Sequence, residues 1–453
     1  MVIKYNYLVI VNINIFLKYV IIGQRYSNRY IILFMQRKIS SRLWISFILI
    51  GLSGQLAWSI ENMYLNVFLY KTIIPDTSYI ALMVSLSAIT ATLTTFVMGI
   101  VSDKIGKRKA LISFGYILWG LSTATFGIVS NSVFKTAVHA ANAVVALDCL
   151  MTFFGSTAND AAFNAYVTDQ SDETNRGKIE GVLSALSLIS MLIIFGLFDG
   201  LTQRGEWKKF FAIFGLINIF TGLISLFLLK EDKKAIKKEN DVLKSLISLL
   251  SIKEIKANKI RYLDLINLLF ISTSFQVFLP YLIIYIQEYL HFYDYALMLA
   301  TVLTGASIIS IVVGRIADKK GKSITALYSI AAMFIGLILM FVFRSYISCT
   351  IAALLVMAGY LSAFSTINAN LRDTTPNNLT GAFQGIRMIF SVALPMIIGP
   401  MIGNNVIKNS GRTYTELGVI KDVPTPMIFL SAAIILIPLS ALIIIRLKEE
   451  KKC

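Results

Sequence analysis

Twelve runs of about twenty predominantly apolar residues constrain the fold of this chain more than any other feature of its sequence. A helix of that length crosses the ~30 Å hydrocarbon core of a bilayer. Backbone amides in lipid must find partners within their own segment, so each run is predicted to be a helix. Hydrophobic residues fill 56% of the 453 positions and charged residues only 15%, which excludes a soluble domain of this length. We therefore predict an all-α membrane protein with twelve transmembrane helices.

The apolar runs divide into two groups of six, with a charged segment between them. The predicted spans are 43–70, 79–101, 110–130, 134–166, 179–198, 209–230, 261–288, 295–317, 323–343, 347–370, 381–403 and 426–446. The pattern predicts an N-terminal extension, a six-helix bundle, a cytoplasmic linker, a second six-helix bundle and a cytoplasmic tail, at 1–42, 43–230, 231–260, 261–446 and 447–453. Within the linker, the apolar spacing of Val242–Ile255 predicts an amphipathic helix.

Basic residues concentrate in the loops on one side of the predicted helices. By the positive-inside rule, this asymmetry places both termini in the cytoplasm. We expect the chain to lie in the cell membrane. The same distribution accounts for the formal charge of +17 without a nucleic-acid partner, because the charges lie in short alternate loops and form no basic groove.

The first 42 residues are harder to place. Tyr7–Gly23 is apolar, but it is only about seventeen residues long and contains Lys18. We expect the biological start at Met35, directly before a basic segment. A surface-lying helix or an additional span is the alternative, and an additional span would move the N-terminus to the outside.

The sequence offers no metal, cofactor or nucleotide site. Its three cysteines lack disulfide or CxxC spacing, and its two histidines cannot form a multi-histidine metal site. Gly321-Lys322-Ser323 resembles the tail of a phosphate-binding loop, but Ile316 occupies the position of the required first glycine. We therefore expect no enzyme activity, no cofactor and no transport driven by nucleotide hydrolysis.

An internal duplication relates the two predicted bundles. Gly99–Lys107 (GIVSDKIGK) matches Gly314–Lys322 (GRIADKKGK), and Phe163–Ala165 matches Ile367–Ala369. Both matches lie in corresponding loops of the two halves. Transporters are often built from such repeats, so the two bundles are predicted to be homologous.

The loop between the second and third spans carries a known signature. Gly99-x-x-x-Asp103-Lys104-x-Gly106-Lys107-Arg108-Lys109 resembles the signature loop of the major facilitator superfamily, and the second copy keeps its glycines and aspartate. The resemblance implies twelve helices in two pseudo-symmetric bundles and a cytoplasmic latch that breaks and reforms as the bundles rock.

The residue types in the signature fit such a latch. Gly99 allows a close helix approach, Asp103 places a carboxylate at a helix end, and Gly106 permits a tight turn. The latch candidates in the two halves are Gly99, Asp103, Gly106, Arg108, Asp160, Asp169, Arg176, Gly314, Asp318, Gly321 and Asp373.

Two further stretches point to a branch of the superfamily. Asn159–Asp169, followed by Arg176-Gly177, and Gly51–Asn62 are similar to glycoside–pentoside–hexuronide cation symporters and related sugar transporters. The resemblance implies coupled sugar uptake. Tyr79–Val101 holds no acid, whereas those symporters carry cation-site aspartates on the second span. We therefore expect H+ as the coupling ion, with Na+ as the alternative.

Proton-driven drug efflux is the main alternative function. Such exporters carry a Gly/Pro-rich signature in the fifth span, but Ile179–Phe198 has no proline, and Pro395–Gly403 (PMIIGPMIG) lies in the eleventh. A non-transporting membrane sensor is a third possibility that no feature of the sequence favours.

Ionisable residues inside predicted spans indicate a transport pathway. Asp148 lies near the middle of the fourth span, and Glu61 shares a polar stripe of the first span with Gln55, Trp58 and Asn62. Without a transport role, Asp148 would bond a neighbouring helix and Glu61 would reach the outer interface. The candidates for the substrate and coupling cavity are Gln55, Trp58, Glu61, Asn62, Asp148, Gln276, Tyr281, Tyr285, Gln384 and Arg387.

Among these candidates, Arg387 has three possible roles: pairing with a carboxylate, binding an anionic substrate, or snorkelling to the inner interface. The complete prediction is a secondary active transporter that takes up a small polar solute, most specifically a sugar, with a proton or another cation. Its expected partners are the bilayer and a small-molecule substrate, without nucleic acid or nucleotide. The functional unit is expected to be a monomer.

Overall fold

The computed structural model describes residues 39–130, 133–171, 175–230, 251–375, 380–416 and 419–450. Twelve helices in these ranges are long and apolar enough to cross a membrane, which confirms the predicted helical membrane fold. They are α1 Ser41–Ile73, α2 Thr77–Ser102, α3 Arg108–Ile128, α4 Ala137–Gln170, α5 Gly181–Gln203, α6 Trp207–Leu228, α7 Lys259–Tyr289, α8 Tyr295–Ala317, α9 Lys322–Val342, α10 Tyr346–Asp373, α11 Gly385–Asn409 and α12 Met427–Glu450.

Helices α1–α6, the first helix set, pack mainly on one another, and so do α7–α12, the second helix set. Within the first set α3 lies along α6, where a Cβ at Gly120 would come within 2.4 Å of the Gly215 carbonyl oxygen. Small residues of this kind let helix backbones meet in a membrane. The two sets meet where α2 packs on α11 and where α5 packs on α8.

The two sets are separated in sequence by a segment that lies mostly outside the described residues. The predicted amphipathic helix Val242–Ile255 falls largely in that segment, and a short helix, Ile252–Ala257, is described at its end. The predicted N-terminal extension also lies outside the described residues up to position 38.

Left-handed glycines end the helices that carry the duplicated signature. The helix of α2 continues to Ile105 and stops at Gly106, with φ 67°, and that of α8 continues to Lys320 and stops at Gly321, with φ 100°. Only glycine adopts such angles readily, so the predicted tight turn at Gly106 is present. We call this end of the molecule the hairpin end, after the two helical hairpins, α2–α3 and α8–α9, that turn there.

The reason proposed for Gly99 was wrong for this conformation. Among the described residues, no atom lies within 4 Å of a Cβ built at Gly99 or at Gly314, so neither glycine lies at a close contact between described helices. Both lie near the hairpin end, where the described helices of the two sets do not crowd these positions.

A short β-hairpin follows α11 at the opposite end of the molecule from the hairpin end. Strand β1, Thr413–Glu416, pairs antiparallel with β2, Val419–Asp422. The Tyr70 hydroxyl of α1 donates to the backbone carbonyl of Asp422, so the hairpin is attached to the first helix set. We call this end the closed end, for the contacts described below.

Candidate functional site

Two buried carboxylates lie between α1, α2 and α4, near the middle of their spans. Glu61 is 7% exposed and Asp148 is 1% exposed. The Oε1 atom of Glu61 accepts hydrogen bonds from Ser87 Oγ at 2.5 Å and from Thr152 Oγ1 at 3.0 Å. The two hydroxyl oxygens are 2.8 Å apart. We call Glu61, Ser87, Asp148 and Thr152 the central cluster.

The central cluster leaves two carboxylate oxygens unsatisfied. Glu61 Oε2 and Asp148 Oδ1 are buried and have no hydrogen-bond partner among the described residues. The two carboxylates are close enough to repel each other when both are ionised. Burying an unpaired charge is costly, and two neighbouring carboxylates avoid this cost by holding a proton. The cluster can therefore bind and release a proton as a unit.

The burial of Glu61 excludes one alternative from the sequence. Its helix was expected to end about nine residues after Glu61, which would have let the side chain reach the outer interface. The helix continues to Ile73, and the side chain turns inward to Ser87 and Thr152.

The helices are widened to π geometry where the acidic residues lie. One π-helical segment, Ile60–Tyr64, contains Glu61, and another, Ser156–Phe163, contains Asp160. Insertions of this kind occur frequently at functional sites because they redirect side chains and free backbone groups. Similar π segments occur elsewhere in the described helices, at Leu69–Ile73, Ile194–Phe198, Tyr285–Tyr289 and Ile389–Ala393, and Asp148 lies in regular α-helix, so this geometry alone does not mark the site.

Asp160 lies further along α4 and interacts with this central region, and its role in the latch stays a prediction. Its carboxylate accepts from Ser156 Oγ at 3.1 Å and from Asn159 Nδ2 at 3.4 Å, and it interacts electrostatically with Glu61. No basic side chain in the described ranges forms an ion pair with it. Asp169, nine residues further along, reaches the hairpin end instead.

The other predicted residues of α1 contact α5, α3 and their own helix. Gln55 Oε1 accepts from Ser187 Oγ of α5 at 2.7 Å, and Asn62 Nδ2 donates to the carbonyl oxygen of Trp58 at 2.8 Å. The Trp58 ring is half-buried against Trp119, with ring centroids 4.9 Å apart. These contacts hold the stripe in place beside the central cluster.

The predicted residues of α7 serve packing more than solvent contact. Tyr281 is fully buried, and its hydroxyl donates to the carbonyl oxygen of Pro400 at 2.8 Å, so its expected place in an open cavity was wrong. Tyr285 is also fully buried, stacks on Tyr289, and has no hydroxyl partner in the part of the chain that is described. Gln276 is half-buried against α11. The two helices are in close contact there, since a Cβ built at Gly399 would lie 2.6 Å from the Cβ of Gln276.

Arg387 lies near the hairpin end of α11. Its Nη1 donates to Asn368 Oδ1 of α10 at 3.1 Å. This contact places the guanidinium inside the second helix set. The side chain of the neighbouring candidate Gln384 is not among those that the structure describes.

Each helix set carries an ion pair at the hairpin end. Arg108 Nε lies 2.5 Å from Asp169 Oδ2 in the first set, and Lys322 pairs with Asp373 in the second. In each set the pair joins the start of the helix after the signature turn to the end of the following helix. The side chains of the remaining charged latch candidates, Asp103, Arg176 and Asp318, are not described.

Asp199, which was not among the predicted site residues, joins the two helix sets at the closed end. Its carboxylate accepts from Tyr64 at 2.8 Å, from Gln203 at 2.6 Å, and from Tyr295 of the second set. Asp199 is only 3% exposed. An acidic residue directly beside an apolar run could have indicated this site. Asp199 was passed over because it lies one residue beyond the predicted fifth span, 179–198.

Further polar contacts hold the closed end together. Thr77 donates to Asn404 Oδ1 at 2.7 Å, and ion pairs join Lys71 to Glu288 at 2.9 Å and Lys408 to Asp76 at 3.2 Å. Partial burial raises the pKa of Asp76, but the Ser78 amide and Lys408 outweigh it and leave that pKa below its usual value. Asp76 is therefore ionised at neutral pH, and its pair with Lys408 persists there.

Asp199→Asn is expected to loosen the closed end. The replacement removes the negative charge that accepts hydrogen bonds from two tyrosine hydroxyls. It also places the new asparagine amide, a donor, against the Gln203 amide, which already donates to this position. The loss of one charge-assisted hydrogen bond corresponds to about tenfold more frequent opening. The measurement is maleimide labelling of Val67→Cys, a buried closed-end position, in a variant whose native cysteines are serine.

The matched control for this experiment is Asp294→Asn, an exposed acid at the same end. It should leave the labelling rate unchanged. Equal labelling of Val67→Cys with and without Asp199→Asn would show that Asp199 does not hold the helix sets together.

A second buried polar group was also missed, at the hairpin end of the second set. Arg446 Nε lies 2.5 Å from Asp264 Oδ1, and the two side chains are 4% and 0% exposed. Arg446 also contacts Ser323 and Glu450. Each partner stands at the end of a predicted span, and no sequence pattern links these two residues, which are 182 positions apart.

The fold and the site together define a multi-pass helical membrane protein that keeps an acidic, incompletely satisfied cluster at mid-membrane depth. The sequence profile of the Major Facilitator Superfamily matches residues 43–400. The chain belongs to this superfamily and is a transporter of that class.

Solved structures of transporters share the fold. A mutant form of the nucleoside transporter NupG superposes with a TM-score of 0.71 at 13% identity, covering 89% of this chain and 99% of that one. A bacterial homolog of the human lysosomal transporter Spinster, in an inward-facing and unoccupied conformation, gives 0.64 at 13% identity, covering 90% and 98%. No curated protein sequence matches significantly.

Proposed function

We propose that this protein is a proton-coupled symporter that takes up a small polar solute, most specifically a saccharide, by alternating access. The observation that carries the proposal is the central cluster. Glu61 and Asp148 each keep one buried oxygen without a partner in the described ranges. A transporter that moves protons needs a group of this kind, which is expensive to leave charged and cheap to protonate.

Protonation of the central cluster would couple to the movement of the helix sets. The sets are joined at the closed end through Asp199 and Asn404, so the pathway in this conformation leads toward the hairpin end. The ion pairs Arg108–Asp169 and Lys322–Asp373 lie within single sets here. In the opposite conformation these groups would meet across the sets and act as the latch.

The preference for a saccharide rests on the chemistry beside the cluster. The amide groups of Gln55 and Asn62 and the half-buried ring of Trp58 lie on α1 within two turns of Glu61. Amides bond sugar hydroxyls, and an aromatic face suits the apolar side of a sugar ring. NupG is a transporter of nucleosides, which also contain a sugar ring, so nucleosides belong among the test substrates.

The experiment is uptake by proteoliposomes that contain the purified full chain. A panel of radiolabelled monosaccharides, disaccharides and nucleosides is offered with a pH gradient, with a sodium gradient, or with neither. We expect at least one solute to accumulate with the pH gradient and to be lost on adding a protonophore. Accumulation driven only by sodium would overturn proton coupling, and no gradient-dependent uptake across the panel would overturn the symporter.

Drug efflux predicts a different result and has less support. The Gly/Pro-rich stretch of α11 packs against α7, where a Cβ at Gly403 would lie 2.3 Å from the Val277 carbonyl oxygen. Close helix packing therefore accounts for these glycines without an exporter's signature. Efflux would show as lower cellular accumulation of hydrophobic cations on expression of the protein.

A further inference from the structure

An apolar groove runs along the outside of the second helix set. It has a volume of about 460 Å³ and lies between α8 and α9, with α10 as its floor. Its walls include Ile309 and Ile316 of α8 and Ile324 of α9. These three side chains are about 40% exposed, so the groove opens toward the lipid.

Small residues place α10 at the bottom of this groove. A Cβ at Gly359 would come within 2.6 Å of the Met333 amide nitrogen, which shows that the backbones of α9 and α10 are in contact. On the other side, a Cβ at Gly305 would lie 2.8 Å from Leu354 of α10. Helix α10 therefore touches both neighbours, and α8 and α9 diverge above it.

The groove is too small for another transmembrane helix. A helix with its side chains is about 10–12 Å across and rises 5.4 Å per turn, so a space of this volume would hold roughly one turn. A flexible hydrocarbon chain fits such a space along its length. The apolar walls provide the contacts that would favour it over a disordered annular lipid.

The hairpin end of the groove is basic. Lys320 lines the groove with its side chain, and Lys319 and Arg315 are exposed on the same last turns of the helix. No described carboxylate forms an ion pair with any of these three residues. A lysine in this position lays its methylene stem on the apolar surface and carries its ammonium group to the headgroup level.

We propose that this groove is a binding site for an anionic phospholipid from the leaflet that the hairpin end faces. One acyl chain lies between α8 and α9, and the phosphate group pairs with Lys320, supported by Lys319 and Arg315. The site is separate from the central cluster and does not depend on the identity of the transported solute.

The test is native mass spectrometry of the purified full chain, mixed with phosphatidylglycerol or phosphatidylcholine of identical acyl chains. We expect the wild type to retain phosphatidylglycerol in clear preference. Each basic residue near a membrane surface contributes roughly fivefold to the affinity for an anionic lipid. Lys320→Gln should therefore weaken phosphatidylglycerol retention about fivefold, whereas Lys109→Gln, at the signature turn of the first set, should not change it.

A second pair of variants tests the groove without altering charge. Ala332 lines the groove and is half-buried, so Ala332→Phe would fill the space of the acyl chain and lower retention with Lys320 intact. Ala331 is exposed on the same helix outside the groove, and Ala331→Phe is the matched control. Equal retention of the two lipids by the wild type, or equal effects of the two phenylalanines, would overturn the proposal.

Discussion

Asp148→Asn abolishes gradient-driven accumulation of the solute and leaves exchange of solute across the membrane intact. This is the expected result because asparagine resembles the protonated acid in shape and cannot release a proton. The binding cavity can still alternate, so labelled solute should exchange with unlabelled solute. A pH gradient of one unit stores about 1.4 kcal/mol per proton, or about tenfold accumulation, and the variant should reduce that ratio to one.

The measurement is the steady-state accumulation ratio in proteoliposomes, followed by a counterflow assay of exchange in the same preparation. Asp148→Glu restores an ionisable group and should recover part of the accumulation. Glu61→Gln should give the same separation of accumulation from exchange, because the two carboxylates act as one unit. If Asp148→Asn accumulated solute as the wild type does, Asp148 would have a structural role and no role in proton coupling.

Arg446→Met is expected to destabilise the protein by about 3–5 kcal/mol, because it leaves the buried Asp264 carboxylate without its counter-ion. Asp264→Leu should cost less, because Arg446 keeps its ion pair with Glu450. The double variant Asp264→Leu/Arg446→Met should be more stable than either single variant, since both charges are then gone. Glu450, the other partner of Arg446, is 39% exposed and can be solvated.

The measurement is a double-mutant cycle of thermal unfolding on the purified chain. The exposed pair of Lys408 and Asp76 provides the contrast, with side chains 42% and 37% exposed. Lys408→Met should cost less than about 1 kcal/mol, as is usual for exposed ion pairs. If the double variant loses as much unfolding free energy as the two single variants combined, the two side chains contribute to stability independently and the ion pair does not stabilise the protein.

The proposed proton coupling and a stable buried ion pair place opposite requirements on a carboxylate, and two sites of this protein illustrate the difference. Asp264 has an arginine partner and can remain charged. Asp148 has no basic partner in the part of the chain that is described, and it lies beside a second acid. The first arrangement fixes a helix contact, and the second leaves a group that a proton can neutralise.

The predictions that succeeded rest on local signals. Continuous apolar runs located all twelve helices to within a few residues, because each helix must satisfy its backbone within lipid on its own. Gly106 was recognised as a turn because the need for a left-handed angle is a property of one residue. Asp148 and Glu61 were noticed because charge inside an apolar run is rare.

The errors concern which residues meet. Tyr281 was expected to face a cavity, but its hydroxyl bonds to the carbonyl oxygen of Pro400, which lies on another helix. Sequence spacing along one helix carries no information about the rotation of the next.

The sequence by itself determined the membrane class, the helix count, the duplicated signature turns and the presence of acids at mid-membrane depth. These follow from hydrophobicity, length and backbone freedom, which act within a segment. Only the tertiary structure decided that Asp199 joins the two helix sets, that Arg446 neutralises Asp264, and that Glu61 and Asp148 share one buried site. Those pairings depend on helix rotation and packing between segments far apart in the chain, so the lipid environment specifies the helices and the side-chain contacts specify their arrangement.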